Sequence, residues 1–419
     1  MKRTLVGALA ALAGVVGTPA AVPDADAVPA FETSCAWSAE VSPRTLDQLN
    51  IALPDTGASY WLLPYIVRPN QTITLRGHFP DARYLSFNTY TSTFNGFTRD
   101  GVSSAIADYR IEPEPGDANP WRTPTAPGGS YTITLRPDVA AGQPNTLPLA
   151  PANAMAEQPG FLIMRTYLPS GGPGAVPLPE VTMTIDGVAR SLPTCQQPAR
   201  TPALDAAMRA ITAAGLPLPG ADSAGFARVD TSGPVSAFPN VDNAYLRYAL
   251  VPPRDNRVLV VRGKAPRTTR GEHPAPWPSS VAEVRYFSMC AYPSILPGPV
   301  ARNPLPDGTI DEGCRTDDQT AVDADGYYTY VVGTEGQRER IEQIPGATFV
   351  PFDAAHADRQ QWLLLRNMLP DGDFPHAVQN VPAGTPPAQA AEIMGPYYPR
   401  TALCELSESA AGTSSCPPR

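Results

Sequence analysis

Four arginines stand inside otherwise apolar, β-rich runs: Arg83 in "RYLSF", Arg165 in "FLIMRTYL", Arg285 in "RYFSM" and Arg366 in "WLLLRNML". A guanidinium keeps its charge in a protein interior, so it must meet a carboxylate or several carbonyls, or it costs roughly several kcal/mol. Two chemistries fit. Each arginine could receive an anionic ligand, or each could close an internal ion pair with a loop acid, for which Asp108 and Asp323 are candidates. The structural role is favoured, because fold-critical residues recur along a chain as readily as functional ones.

Other reactive patterns are thinner. No G-x-S-x-G turn occurs. His78 follows "LRG" at a strand end, and His273, His356 and His376 lie in polar or Pro-rich stretches. Any of them could serve a catalytic triad, whose geometry does not depend on sequence order. Exposed loop histidine is the simpler expectation. "DADG" (323–326) could open a calcium loop, but the remaining regularly spaced oxygen ligands and the closing Glu do not follow, so it is read as a hairpin turn. "EPEP" (112–115) sets two carboxylates between prolines in an extended segment. The acids of glycoside hydrolysis come from separate elements. Phe94, Phe97, Trp121, Trp277, Tyr397 and Tyr398 fall in loops and could form an aromatic platform for a sugar or lipid. No catalytic set, cofactor motif or metal motif is expected.

The six cysteines, Cys35, Cys195, Cys290, Cys314, Cys404 and Cys416, have no C-x-x-C spacing. An even count in an exported chain reads as three disulfides. Nearest-neighbour pairing is expected: Cys35–Cys195 clasping the ends of a first half, Cys290–Cys314 tying a strand to its exit loop, and Cys404–Cys416 pinning the tail. Each would contribute on the order of 2–4 kcal/mol by restricting the unfolded chain. Export itself is read from the first 27 residues. Lys2 and Arg3 precede an apolar run, "TLVGALAALAGVVG", and Ala25-Asp26-Ala27 offers a cleavage site. That run is too short to span a membrane stably. The formal charge of -9 argues against nucleic acid or an anionic membrane surface as partner.

The elements that must position these residues come in two sets. "YWLLPYIVRPNQTITLRG" (60–77) resembles "YLRYALVPPRDNRVLVVRG" (245–263). "DARYLSFNTY" (81–90) resembles "EVRYFSMCAY" (283–292). "YTITL" (131–135) resembles "YTYVV" (328–332), and "FLIMRTYLPSGG" (161–172) resembles "WLLLRNMLPDGD" (362–373). Four echoes in one order, shifted by 185 to 202 residues, imply duplication of a module. The echoed blocks alternate with period two or are apolar on both faces, which predicts strands. The 51 prolines, more than twice the usual share of about 5%, favour strands joined by stiff loops over long helices. The expected fold is all-β: tandem duplicated β-sandwich or jelly-roll-like domains with a short connecting helix. The expected division is a signal peptide over 1–27, a first repeat over 28–200, a helix at "TPALDAAMRAITAAGLPLPG" (201–220) with a linker to 240, and a second repeat with its tail over 241–419. A second helical piece is expected at "PPAQAAEIMG" (386–395).

In the second copy "VRYFSMCAY", "DADGYYTYVV", "ATFVPF" and "QWLLLRNMLPDG" follow one another, and "RYLSFNTY", "GSYTITL" and "FLIMRTYLP" do so in the first. This order resembles a bacterial family, domain of unknown function twelve-fourteen, with its companion twelve-fifty-four. The likeness covers about half of each copy. "TFVPF" lacks the Trp and Leu of the family pattern, and the insert "RTTRGEHPAPWPSSV" (267–281) is the chain's own. The resemblance implies a jelly-roll-like β domain and carries over no catalytic residue. The functional expectation is a secreted protein that binds a small molecule, a glycan or a cell-envelope component without catalysing a reaction. The rivals are a secreted hydrolase of glycosidic or ester bonds and a structural envelope component.

Overall fold

The computed structural model describes residues 34–123, 128–196, 225–232, 237–253, 255–407, 416 and 418. The signal peptide expected over 1–27 and the helix expected over 201–220 lie outside the described residues.

The chain is all-β. In the first half the strands are β1 (Ala39–Val41), β2 (Ala58–Ile66), β3 (Gln71–His78), β4 (Ala82–Tyr90), β5 (Thr98–Arg99), β6 (Val102–Ser103), β7 (Ala105–Ala107), β8 (Ser130–Arg136), β9 (Thr146–Pro148), β10 (Pro159–Pro169), β11 (Glu180–Ile185) and β12 (Val188–Leu192). In the second half they are β13 (Ala227–Arg228), β14 (Asn243–Leu250), β15 (Arg257–Lys264), β16 (Val284–Pro293), β17 (Arg302–Pro304), β18 (Ile310–Glu312), β19 (Cys314–Thr316), β20 (Tyr327–Gly333), β21 (Ala347–Pro351), β22 (Gln361–Pro370) and β23 (Arg400–Glu405). The α-helices among the described residues are short, Arg338–Glu342 and Pro387–Met394, the latter where a helical piece was expected.

Each half is built on two sheets. In the first half these run β1-β2-β10-β4-β7 and β12-β11-β3-β8-β9; in the second, β13-β14-β22-β16-β19 and β21-β20-β15-β23. The orders correspond strand for strand: β2-β10-β4-β7 has its counterpart in β14-β22-β16-β19, and β11-β3-β8-β9 in β23-β15-β20-β21. The pairing senses agree as well, since β8–β9 and β20–β21 are the parallel pairs of otherwise antiparallel sheets. A hydrophobic core fills each sandwich. Leu63, Ile73, Leu85, Phe87, Ile133 and Met164 sit in the first, and Leu246, Val261, Met289, Tyr330, Leu363 and Leu365 in the second.

Burial divides the sheets into outer and inner ones. In β3 and β8 the apolar residues Ile73, Leu75, Tyr131, Ile133 and Leu135 point inward, while Thr72, Thr74, Thr132 and Thr134 lie on the wetter face. β-branched threonine suits such a half-solvated pleat. In β4 and β16, by contrast, every residue is buried, and β10 and β22 are buried over nearly their whole length. Leu85 and Phe87 face their own core. Tyr84, Ser86, Asn88 and Tyr90, on the opposite side of β4, are covered by the other half and its loops.

All six cysteines pair as Cys35–Cys195, Cys290–Cys314 and Cys404–Cys416. The nearest-neighbour scheme holds, and each bridge lies within one half. The division at 241 needs correction. Phe226 is fully buried in the second core, and β13 pairs with β14 (Ala227 opposite Arg247), so the second module begins ahead of the expected linker's end. Residues 238–240, also expected as linker, lie against the first half, where Phe238 packs on Tyr90, Phe94 and Phe161.

Candidate functional site

The four arginines converge on the boundary between the halves. Arg83 opens β4, and its Nη1 donates to both carboxylate oxygens of Asp317 (2.8 and 2.6 Å), just past β19. Its Nη2 donates to Asp318 and its Nε to the Gly271 carbonyl. Arg285 opens β16, and its Nη1 donates to both oxygens of Asp108, just past β7, at 2.5 and 2.7 Å. The two pairs are reciprocal: each half gives an arginine from one strand and takes one with the acid after another. Their side chains are essentially inaccessible to solvent. Asp108 also accepts from the backbone N–H of Leu85 and Tyr109. Burial pushes the carboxyls of Asp108 and Asp317 up, and the facing arginines oppose it.

The expectation of internal ion pairs holds for Asp108 and needs correction for Asp323. Asp108 pairs with Arg285, which comes from the other half. Asp323 pairs with Arg262 instead, while its carboxylate accepts from the backbone N–H of Asp325 and Tyr327 in the turn before β20. Arg285 and Asp108 lie 177 positions apart and meet because the halves dock.

Arg165 and Arg366 occupy corresponding places on β10 and β22, opposite Ser86 and Ser288. Each guanidinium sits in an aromatic box, Arg165 over Tyr60 and Tyr90 (5.6 and 5.4 Å to the ring centres), Arg366 over Tyr245 and Tyr292 (5.7 and 5.5 Å). Such placements are attractive through the ring quadrupole. Each also donates to a carbonyl of a strap from just before β2 or β14: Arg165 Nη2 to Phe238, Arg366 Nη2 to Leu53, both at 2.7 Å. The boxes then diverge. Arg165 Nη1 donates to Asn88 Oδ1 at 2.8 Å. The corresponding place on β16 is held by Cys290, which is spent in a disulfide, and Arg366 Nη1 is buried with no acceptor. Asp55 lies 3.9 Å from Arg366 Nε, where the second strap carries Asn240.

Tyrosines knit the same boundary. Tyr84 donates to Asp242 (2.6 Å), and Tyr286 to Asp55 (3.1 Å). Ser288 also donates to Asp55, at 2.6 Å. Tyr167 stacks edge-on against both Tyr84 and Tyr286. Burial, reinforced by the facing carboxylates, pushes Tyr84 and Tyr286 well above the usual phenol range. It raises Tyr60 too, with Asp55 adding to the shift. Tyr60 and Tyr245 are half-buried as whole residues.

The insert at 267–281 belongs to this boundary. His273 Nδ1 lies 2.7 Å from Asp81 Oδ1, and Trp277 donates its backbone N–H to the Trp121 carbonyl. The Trp277 ring covers Arg285 at 5.0 Å, with Tyr109 and Tyr84 near the same cation. This explains why Arg285 Nε and Nη2 lack acceptors: they are enclosed by ring faces.

The aromatic platform needs correction. Trp121, Trp277, Phe94, Tyr397 and Tyr398 are buried and Phe97 is partly so. Trp121 packs into the first core and Tyr397 and Tyr398 into the second, while Trp277 joins the boundary cluster and Phe94 packs beside Tyr90 and Phe161. Asp55, Cys290 and Cys314 have ligand atoms within 4.8 Å of one another. Both sulfurs are bonded to each other, so they are not thiolates and the set does not fit a metal ion. His376 stacks on Tyr397, and His356 lies 2.8 Å from Asp353, the acid that caps its own turn. His78 Nδ1 and Ser130 Oγ lie 3.3 Å apart, a direct cross-strand pair of β3 and β8. The Asp117 carboxylate accepts from the Ser130 N–H (2.7 Å), which places it on the serine rather than behind the imidazole.

The fold and site define a two-part β-sandwich protein whose parts are locked by exchanged Arg–Asp pairs. No family model matches the chain, and no curated protein does. Among solved structures, its fold is similar to that of an uncharacterised protein from Burkholderia cenocepacia, at a TM-score of 0.51 and 14% identity, covering 97% of each chain. A protein from Vibrio parahaemolyticus aligns at a TM-score of 0.38 and 12% identity, over 82% of this chain and 88% of that one.

Proposed function

We propose that this is a secreted ligand- or partner-binding protein of the domain of unknown function twelve-fourteen type, arisen by tandem duplication, that binds at the boundary of its halves without catalysing a reaction. Its three disulfides suit an oxidising compartment, and no helix among the described residues is long and apolar enough to cross a membrane. The observation that carries the binding reading is Arg366, a buried cation boxed by Tyr245 and Tyr292 with an unspent Nη1 donor. A donor without an acceptor favours an oxygen-bearing ligand, and the half-buried residues Tyr60 and Tyr245 would border a sugar or a small carboxylate there.

The test is a glycan, small-carboxylate and cell-envelope screen on the mature protein and on Tyr60→Ala and Tyr245→Ala variants. Binding by the mature protein that weakens at least tenfold in both variants supports the reading. Turnover of a bound compound, or binding indifferent to both rings, refutes it. The Ser130–His78 contact favours a second reading, an esterase. Ester hydrolysis abolished by both Ser130→Ala and His78→Ala, with labelling of Ser130 by a fluorophosphonate, would establish it in place of the first.

A further inference from the structure

We propose that the boundary between the halves is an isologous, dimer-type interface, holding two complete sandwiches together without their peptide connection. In such an interface the same patch occurs on both partners, and residue i of one meets j of the other while j meets i. Several independent contact pairs show this exchange. Arg83 reaches Asp317, and Arg285 reaches Asp108, across strands that correspond in the two topologies. Tyr84 is hydrogen-bonded by the strap before β14, through Asn240 and Asp242, and Tyr286 is hydrogen-bonded to Asp55 in the strap before β2. The straps also supply the carbonyls of Phe238 and Leu53 to the corresponding arginines, Arg165 and Arg366.

The partner this surface fits is therefore a second sandwich of the same kind. Each half carries both members of the exchanged set, an arginine near the start of the strand beside the edge and an aspartate just after the edge strand itself. The chain behaves as a dimer written as one polypeptide. No disulfide crosses the boundary, since all six cysteines pair within their own halves. The apolar component is shared as well: Ala58, Tyr84 and Tyr167 of the first half form one buried cluster with Trp277, Tyr286 and Met368 of the second.

The experiment uses the whole folded chain with a protease recognition site introduced within 201–220 and cut after purification. The expected result is two fragments on a denaturing gel and one species in size-exclusion chromatography and native mass spectrometry. That species should persist at raised salt, because buried pairs are weakly screened. Fragments that separate on native chromatography overturn the proposal. In the cut protein Arg285→Met should raise the dissociation constant of the halves about a hundredfold or more. Gly57→Ala should weaken association too, since a Cβ there would meet Thr316 and the Tyr286 hydroxyl of the other half at 2.7 and 2.8 Å. Circular dichroism of the uncut variants reports whether each sandwich is still folded. Folded variants whose halves associate as tightly as the unmodified ones overturn the proposal.

Discussion

Arg285 illustrates how a single buried charge is maintained. Its Nη1 serves both oxygens of Asp108 while aromatic rings enclose the other nitrogens. Removing one member of such a pair strands the other, at a cost of about 3–5 kcal/mol. Arg285→Met and Asp108→Asn should each destabilise the protein by about that amount. The double variant should cost clearly less than the sum, and urea unfolding of the four proteins measures the coupling. At the exposed rim, the Asp81 hydrogen bond and its charge raise the His273 pKa above 6.5. A histidine whose folded-state pKa is raised binds its proton more tightly when folded. Its stabilisation is therefore complete below about pH 6.5 and fades as pH rises through the folded value. An NMR titration should place the His273 midpoint above 6.5, and Asp81→Asn should lower it. An unchanged midpoint in that variant would show that the contact does not hold in solution.

At the scale of elements, the strands were readable because period two is a local property. The alternation of β3 and β8, and the two-sided apolarity of β10 and β22, each follow from one stretch of chain. What covers the second face of the inner strands was not readable, since the covering groups lie far away along the chain. The straps show this best. Residues 50–57 hydrogen-bond the second half through Ala52 to Pro297 and Leu53 to Gly298. Gly57 stands where that strap passes Thr316 and Tyr286 too closely for a side chain. Gly57→Ala should therefore cost about 1–3 kcal/mol by overpacking, whereas Gly372→Ala, with nothing within 4 Å of the added carbon and no positive φ, should cost little. Thermal denaturation of both variants beside the unmodified protein measures the difference. An equal loss in the two would show that the close approach at the strap carries no energetic weight.

At the scale of the whole molecule, two sandwiches with separate cores share a boundary of buried ion pairs and stacked tyrosines. Coupling of that kind makes the halves unfold together. Differential scanning calorimetry should show one transition, with calorimetric and van't Hoff enthalpies in agreement. Arg285→Met should split it into two. Two well-separated transitions in the unmodified protein would show that the halves are energetically independent.

The sequence by itself determined the all-β character and the strand blocks, because hydrophobic period and proline content act over short distances. It also ordered the cysteines so that the expected nearest-neighbour pairing matched the structure even for Cys35–Cys195, 160 positions apart. It also singled out the four arginines, since a charge amid apolar residues is conspicuous in any reading frame of the fold. Only the tertiary structure decided whom they meet. Arg83 and Asp317 are 234 positions apart, and Arg285 finds Asp108 rather than an acid of its own half. The same holds for the aromatic residues, which looked like a platform in the sequence and were instead divided between the two cores, the boundary cluster and the packing around Phe238. A side chain's partner depends on how modules dock, and docking is a property of assembled surfaces, not of any one stretch of chain.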